Sequence, residues 1–254
     1  MSTKFELDEK FIVAGTPTEL DACLHANPHT KRPKIATHTN IWPWLASFAN
    51  RKEVRVLEIG SRAVISDSLW KQHIPNCTYT GFDVAEGKNV NVVGDAHRLS
   101  EYFPPHSIDL IYSLAVFEHL AMPWIVAEEI SKLIDINGLV CVETHFSFSE
   151  HELPWHYFQF NANALEILFC DELGFETVDS GLDTPMVGRF AKNAAEYLRG
   201  QLVTDLWCHS SIIARKTAHK LKPNESLDWR DVAKRVAANS AYPSNTGLSK
   251  REPS

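Results

Sequence analysis

Three acidic side chains stand where predicted β-strands end. Glu58 closes a β-branched run and is followed by Gly60, Asp83 ends a second run, and Asp95 ends a third. In open α/β sheets ligands bind beyond the carboxyl ends of the strands, so these positions share one edge. A carboxylate can accept both hydroxyls of a ribose, or an exocyclic amine such as adenine N6. Each aspartate alone is usually a turn or helix cap, but the two in this order favour an adenosine ligand.

A second group of residues suited to acid–base chemistry follows the fifth predicted strand. The segment 144–160 holds His145, His151 and His156 among glutamates and aromatic side chains. Histidine titrates near neutral pH and is the usual general base. We expect His145, at the strand end, to be the base, with His151 or His156 as the alternatives. Any single loop histidine is more often a packing or capping residue than a catalytic one.

The pattern of elements predicts how these residues are positioned. Strands are predicted at 54–59, 77–82, 90–93, 108–113, 139–144, 175–178 and 210–214, with helices near 66–73, 124–134 and 163–173. This alternation predicts an α/β fold: a Rossmann-like, doubly wound, mostly parallel seven-stranded sheet with helices on both faces.

The chain divides into three regions. Residues 1–50 are predicted to form a helical N-terminal flank or lid, with short helical pieces at 20–25 and 42–48. Residues 51–220 form the predicted ligand-binding domain. Residues 221–254 are predicted to form a C-terminal helix and a loosely ordered tail, because prolines and a glycine recur from residue 243 onward.

Composition excludes several classes of protein. The 254 residues carry a formal net charge of −7 and no broad basic cluster, which disfavours nucleic acid as a partner. No apolar run approaches the roughly 18 residues of a membrane span. The five cysteines are odd in number and widely spaced, which favours a reducing cytoplasm. We therefore expect a cytoplasmic monomer or homodimer with a small-molecule partner.

Five short motifs carry a family resemblance across residues 54–178. Val56-Leu57-Glu58-Ile59-Gly60-Ser61 resembles the first motif of class I S-adenosylmethionine-dependent methyltransferases. The sequences Gly81-Phe82-Asp83 and Gly94-Asp95-Ala96 resemble their ribose and adenine motifs, and 113–120, ending Glu118-His119-Leu120, resembles their segment after the fourth strand. Asn137-Gly138-Leu139 matches the turn before the fifth strand.

The resemblance implies a set of residues that bind S-adenosylmethionine. Gly60 and Ser61 would face the methionine part, Asp83 the ribose, and Asp95 with Ala96 the adenine. Glu58 would brace the first loop, while the backbone near Ser113 and Leu114 would line the methionine. This chain departs from the family in one place, because Ser61-Arg62-Ala63-Val64 stands where further glycines are usual. Arg62 either reaches the methionine carboxylate or faces solvent.

The residues after the fifth predicted strand bear on which acceptor is methylated. The histidine-rich segment favours methyl transfer to a hydroxyl of a sugar or secondary metabolite, since a hydroxyl must lose a proton. The alternatives are an N- or C-methyltransferase of a small heterocycle, and an inactive binding protein with the same fold. A nicotinamide oxidoreductase is disfavoured, because it needs a G-x-G-x-x-G turn for the pyrophosphate.

Several further residues are candidates for the acceptor site. Trp42, Trp44, Trp155 and Tyr157 could wall the pocket, although aromatic residues more often pack a core. His119 is expected to be structural or to line the site. The set His145, His151, Glu152 and His156 includes enough donors for a divalent ion, but the spacing matches no metal motif. We therefore predict no metal.

Overall fold

The computed structural model describes residues 29–64 and 70–239. In chain order its helices and strands are α1 (Ile41–Ala49), β1 (Arg55–Ile59), β2 (Thr78–Asp83), β3 (Val92–Val93), β4 (Ile108–Leu114), α2 (Pro123–Leu133), β5 (Ile134–His145), α3 (Ala162–Leu168), β6 (Phe175–Arg189), β7 (Leu202–Lys216) and α4 (Trp229–Asn239). Short 3₁₀ turns lie at Trp70–His73, Ala96–Glu101, Phe117–His119 and Asp171–Leu173. Within the described ranges, no helix is both long and apolar enough to cross a membrane.

The seven strands form one sheet in the order β3-β2-β1-β4-β5-β7-β6. The pairs among β1 to β5 are parallel, whereas β7 runs antiparallel to both β5 and β6. This confirms the predicted fold class. The strand order reverses between β1 and β4, so the crevice beyond the ends of these two strands is the position where such sheets bind ligands.

Successive residues of a strand point to opposite faces of the sheet, so apolar strands place apolar side chains on both faces. Helices cover these side chains on each face. In β1, Leu57 and Ile59 join the apolar cluster that includes residues of α2 and α3. Val56 joins the opposite cluster, which includes Ile41 and Leu45 of α1. Strands covered on both faces read as apolar runs, which explains why β1, β4 and β5 were visible in the sequence.

The largest differences from the predicted elements lie at the antiparallel end of the sheet. The sequence predicted strands at 175–178 and 210–214, but β6 and β7 have 15 residues each. β6 contains Gly181, Pro185 and Gly188, and its pairing with β7 shifts register between Thr177 and Asp179 and again between Met186 and Gly188. The third strand keeps only Val92–Val93 of the predicted 90–93, and the predicted helix 163–173 ends at Leu168, followed by a separate turn.

Predictions for the two ends of the chain are met in part. The predicted helical piece at 42–48 lies within α1, and α4 supplies the predicted C-terminal helix. The predicted piece at 20–25, the loosely ordered tail from 241 and residues 66–69 of the predicted helix at 66–73 lie outside the described residues.

The segment before α1 is tied to β6 by side-chain acceptors. The Oδ2 atom of Asp179 accepts the backbone N–H groups of Lys34, Ile35 and Ala36 at 2.6–2.9 Å. Asp183 accepts the N–H of His38 at 2.8 Å. A carboxylate that accepts several N–H groups fixes a backbone that would otherwise have no partners. These contacts hold His38 at the same edge of the sheet as the end of β5.

Lys216, at the end of β7, is a buried lysine that should make the free energy of unfolding depend on pH. Its side chain is 1% exposed, and Nζ donates to the carbonyl oxygen of Leu173 at 2.6 Å. Burial lowers its pKa from 10.5 to about 8. Between these values the native protein releases a proton that the unfolded chain keeps, so the free energy of unfolding should rise with pH.

We expect this rise to amount to at most about 1.4 kcal/mol per pH unit between about pH 8 and 10.5. Lys216→Met should remove the rise, because methionine does not titrate. Urea unfolding of both proteins at several pH values from 7 to 10.5 measures their free energies of unfolding. Groups other than Lys216 titrate in both proteins, so their contributions cancel in the difference. Equal pH dependence in the two proteins would contradict the prediction.

Candidate active site

At the crevice between β1 and β4, the loop after β1 contacts the segment after β4 in a way that only glycine permits. Gly60 has a φ of +83°, and its N–H donates to the carbonyl oxygen of Phe82 at 2.9 Å. A Cβ at this position would lie 2.2 Å from Cγ2 of Val116. The first loop and the segment after β4 therefore pack directly on each other. The glycine singled out in the sequence is required for this close approach.

Asp83 anchors the loops at the ends of β1 and β2. Its residue is 8% exposed, and its two carboxylate oxygens accept the backbone N–H groups of Arg62 and Ala85, each at 3.0 Å. Nε of Arg62 lies 3.7 Å from Oδ1 of Asp83. The guanidinium thus lies beside the carboxylate, with part of its side chain exposed. Each carboxylate oxygen has a further lone pair that can accept a ligand hydroxyl.

Glu58 contacts side chains of the two strands that flank β1. Its carboxylate accepts the hydroxyl of Tyr79 on β2, and it also interacts with the hydroxyl of Tyr112 on β4. Burial raises the pKa of Glu58, and the two tyrosine hydroxyls oppose that rise. Glu58 therefore links β1 to both neighbouring strands, directly before the loop that begins at Gly60.

The remaining residues expected at the cofactor site surround this crevice. Asp95 caps the turn that starts at Ala96, and its Oδ1 accepts the N–H of His97 at 2.9 Å. Ser113 donates to the carbonyl oxygen of Ile59 at 3.1 Å, and Leu114 is the last residue of β4. The hydroxyl oxygen of Ser61 is buried without a hydrogen-bond partner among the described residues. A carboxylate, an unpartnered hydroxyl and a glycine turn at one strand edge fit a ligand rich in hydroxyl and amine groups.

His145 and Glu118 form a buried pair at the end of β5. Nδ1 of His145 lies 2.7 Å from Oε1 of Glu118, although the ring N–H is not aimed along this line. Thr144 donates to the other oxygen, Oε2, at 2.6 Å. Burial alone would raise the pKa of Glu118, but the contacts with His145 and Thr144 lower it below its ordinary value. The carboxylate is therefore ionised at neutral pH and can hold the imidazole.

Four rings stack in a column beside this pair. His145 is stacked on Phe148 with ring centroids 4.6 Å apart, and on His209 at 5.6 Å. His209 is the residue directly opposite His145 on β7, and it stacks in turn on His38 at 4.8 Å. Burial lowers the pKa of His209, which favours its neutral form. The column fixes the plane of the His145 ring, since the ring cannot tilt without displacing its neighbours.

The long loop after β5 folds back over the same region. The N–H groups of Tyr157 and Phe158 donate to the carbonyl oxygen of Glu118, and the N–H of Phe160 donates to that of His145. The loop therefore brings His151 and His156 next to His119, on the turn after β4. All three histidines predicted for this segment lie in one cluster, together with His119.

The aromatic residues expected around the acceptor separate into two groups. Trp42 and Trp44 are partly buried on α1, in the apolar cluster on that face, and Trp42 meets Tyr112 edge to face at 5.9 Å. Trp155 and Tyr157 are exposed on the loop after β5. The second pair is therefore open to a ligand, while the first pair contributes to the core.

Sequence reasoning missed several residues of the site. Glu118 was visible only as part of a motif, and nothing marked it as the partner of His145. His38, Glu143 and His209 come from three different elements, yet Nδ1 of His38 lies 2.9 Å from Oε1 of Glu143. The position of Glu143, two residues before His145 on the same strand face, was the one available signal.

Comparison with known proteins agrees with this geometry. A family described as a methyltransferase domain matches residues 57–142, from β1 into β5. The YcgJ protein from Bacillus subtilis has a similar structure, with a TM-score of 0.50, 14% identity, and coverage of 71% of this chain and 100% of that one. The trans-methyltransferase CalH, solved in complex with SAH, has a TM-score of 0.50 and 12% identity, with 70% and 55% covered. No curated protein matches the sequence.

The structural likenesses concern the fold, and the matched family covers the strands that carry Glu58, Gly60, Asp83, Asp95 and Ser113. The strand order, the glycine turn after β1 and the acid after β2 agree with it. Residues 57–142 therefore match a methyltransferase domain family, and the chain shares the Rossmann-like α/β fold of the solved structures that it resembles.

Proposed function

We propose that the protein transfers a methyl group to a hydroxyl of a small molecule, such as a sugar or a secondary metabolite, with His145 as the general base. The observation that supports this most directly is the 2.7 Å contact between His145 Nδ1 and Glu118 Oε1 at the end of β5. Because a hydroxyl must lose its proton as it is methylated, an oriented imidazole at this position suits such an acceptor.

The cofactor assignment is part of the same proposal. Asp83 would accept the ribose hydroxyls, Asp95 with Ala96 would contact the adenine, and Gly60, Ser61 and the backbone of Ser113 and Leu114 would contact the methionine part. Bound S-adenosylmethionine supplies an electrophilic methyl group. Two roles are open to Arg62. Its guanidinium lies beside Asp83, and it could instead turn toward the carboxylate of the methionine part.

His145 would act through its second ring nitrogen. Nδ1 faces the ionised Glu118, which favours the tautomer with the proton on Nδ1. Nε2 makes no hydrogen bond with any described residue and then carries the lone pair that accepts the acceptor's proton. Glu118 stabilises the imidazolium that results, as a carboxylate does for a catalytic histidine in other enzymes.

The surroundings favour a small acceptor. The net charge of −7 opposes a polyanion, and the loop after β5 covers the histidine cluster closely. The exposed Trp155 and Tyr157 give that loop flat apolar surfaces on which a sugar or an aromatic ring can pack.

A screen of small molecules with methyl-labelled S-adenosylmethionine tests the proposal. We expect label in a product whose new methyl is attached to oxygen, as shown by fragmentation in mass spectrometry. Transfer to a ring nitrogen or carbon of a heterocycle would contradict the hydroxyl acceptor and the need for a base. Labelled RNA or protein, with no labelled small molecule, would contradict the acceptor class.

A further inference from the structure

Three histidine side chains from two loops converge beside the Glu118–His145 pair. His119 ends the turn after β4, and His151 and His156 lie on the loop after β5. One ring nitrogen of each lies within 4.8 Å of the other two. The ring of His151 is perpendicular to those of His119 and His156, at centroid distances of 4.8 Å and 4.7 Å. These rings are therefore not stacked on one another, and their in-plane lone pairs can converge on one point.

The hydrogen bonds of two of these rings determine where their lone pairs lie. Nδ1 of His119 lies 3.0 Å from the carbonyl oxygen of Trp155, and Nδ1 of His151 lies 3.0 Å from that of Ser149. A carbonyl oxygen only accepts, so both Nδ1 atoms must donate. In the neutral rings both Nε2 atoms are then left with lone pairs, and these two atoms are only 3.1 Å apart.

Two lone pairs at this distance repel each other unless a positive charge lies between them. That charge is either a proton on one ring or a metal ion bound by both. With Zn–N bonds of about 2.05 Å in a tetrahedral site, two ligand nitrogens lie about 3.3 Å apart. The observed 3.1 Å needs only a small adjustment. Metal-binding histidines commonly donate their other N–H to a backbone carbonyl, as both rings do here.

Further ligands are within reach of the same point. Nε2 of His156 is buried with no hydrogen-bond partner among the described residues, and its Nδ1 accepts the His151 N–H at 3.3 Å. Nε2 becomes a metal ligand when the ring proton moves to Nδ1, at the cost of this long hydrogen bond. Oε2 of Glu152 lies 3.9 Å from Nε2 of His119, on a side chain that is 53% exposed. Three imidazoles and one carboxylate make a complete tetrahedral set.

Three other groups near this site have ligand atoms within similar distances of one another. One of them, Glu118, His145 and His151, shares His151 with the proposed site, and its Glu118 carboxylate already contacts Nδ1 of His145. In the other two, His38 and His209 approach Glu143, and His145 and His209 approach Cys208. However, the rings of His38 and His209 are stacked with an angle of 10° between their planes, and those of His145 and His209 with 28°. Ring lone pairs lie in the ring plane, so stacked rings do not aim them at a common ion between them.

We propose that His119, His151 and His156, with Glu152 as the fourth ligand, bind a divalent transition-metal ion, of which Zn²⁺ fits best. Imidazole ligands favour Zn²⁺ over Mg²⁺ or Ca²⁺, which prefer oxygen. The ion would join the turn after β4 to the loop after β5. It would lie beside His145, whose ring centroid is 5.2 Å from that of His151. The site does not depend on which acceptor is methylated.

Calorimetric titration of tag-free, chelator-treated protein with Zn²⁺ tests this proposal. We expect one tight site per chain, and no comparable binding of Mg²⁺. His119→Gln and His151→Gln should each weaken Zn²⁺ binding by at least about 100-fold, since even outer-shell changes cost 10- to 100-fold. Glu152→Gln should have a smaller effect, of about tenfold. The matched control is His209→Gln, which belongs to the two rival clusters with stacked rings and should keep the wild-type affinity.

Two measurements on the unchanged protein guard against variants that fold poorly. Zn²⁺ should raise the melting temperature in proportion to the logarithm of its free concentration, since it binds only the folded chain. Co²⁺ should give the intense visible absorption of a tetrahedral site. No stoichiometric Zn²⁺ binding by the wild-type protein would overturn the proposal and leave a proton shared between His119 and His151. Binding that is lost in His209→Gln but kept in His119→Gln would equally overturn it.

Discussion

Replacing His145 by glutamine is expected to lower kcat by about 10²- to 10⁴-fold, which is the usual contribution of a general base. Glutamine keeps the size and polarity of the side chain but cannot take the acceptor's proton. Because His145 is assigned no contact with the methyl donor, the affinity for S-adenosylmethionine should change by less than about twofold, well under the 1.4 kcal/mol of a tenfold effect. Turnover and calorimetric affinity, measured on the same preparation, separate these effects.

Two further variants show whether the loss comes from the proton transfer. Glu118→Gln should lower kcat by less than His145→Gln, because it removes the charge that stabilises the imidazolium but leaves the base. His209→Gln is the matched control, since it makes the same chemical change in the ring that stacks on His145. If His209→Gln lowers kcat as much as His145→Gln, packing rather than base chemistry explains the result. Full activity of His145→Gln would contradict the proposed role.

Replacing Asp83 by alanine is expected to weaken S-adenosylmethionine binding by about 10- to 150-fold, or about 1.5–3 kcal/mol. The change removes charge-assisted hydrogen bonds to the ribose hydroxyls. It also removes the acceptor for the N–H groups of Arg62 and Ala85, so the loops themselves become less ordered. Calorimetry with S-adenosylmethionine and S-adenosylhomocysteine should show the same loss for both, because they share the ribose.

Asp83→Asn separates the two effects of this change. Asparagine keeps one oxygen as an acceptor for a loop N–H but has no negative charge, so it should keep most of the stability and lose much of the affinity. Asp95→Asn is the matched control: Asp95 is exposed and already accepts the N–H of His97, so we expect a smaller effect. Unchanged affinity in Asp83→Asn and Asp83→Ala would contradict the ribose assignment.

The strands differ in how clearly their burial shows in the sequence, and this difference explains which of them could be predicted. Strands β1, β4 and β5 are buried on both faces, so their sequences are nearly continuous apolar runs with a turn residue at the end. The outer halves of β6 and β7 are partly exposed and contain glycine, proline and aspartate, so no period-2 pattern marks them. Their length is set by pairing with each other, which is a long-range property.

The same distinction applies to the site. Gly60, Asp83 and Asp95 follow strands directly, so their common location follows from the topology of any parallel sheet. The approach of His119 to His151 joins residues 32 positions apart, on two loops whose course no local pattern determines. Sequence reasoning weighed the set His145, His151, Glu152 and His156 and predicted no metal, whereas the proposed zinc site has His119 in place of His145. The cytoplasmic location and the monomeric or homodimeric state stay predictions.

The attachment of residues 31–38 has a consequence for the behaviour of the protein in solution. β6 is an edge strand of 15 residues, and an edge of that length offers its unpaired backbone groups to other chains. Here Lys31 accepts the N–H of Leu182, and Pro33 packs where Gly181 has no side chain. The opposite edge, β3, has only two residues. The segment therefore covers β6 near Gly181 and Leu182, and we expect a chain shortened to begin at α1 to expose this part of the edge, to self-associate more readily and to lose the contact of His38 with His209.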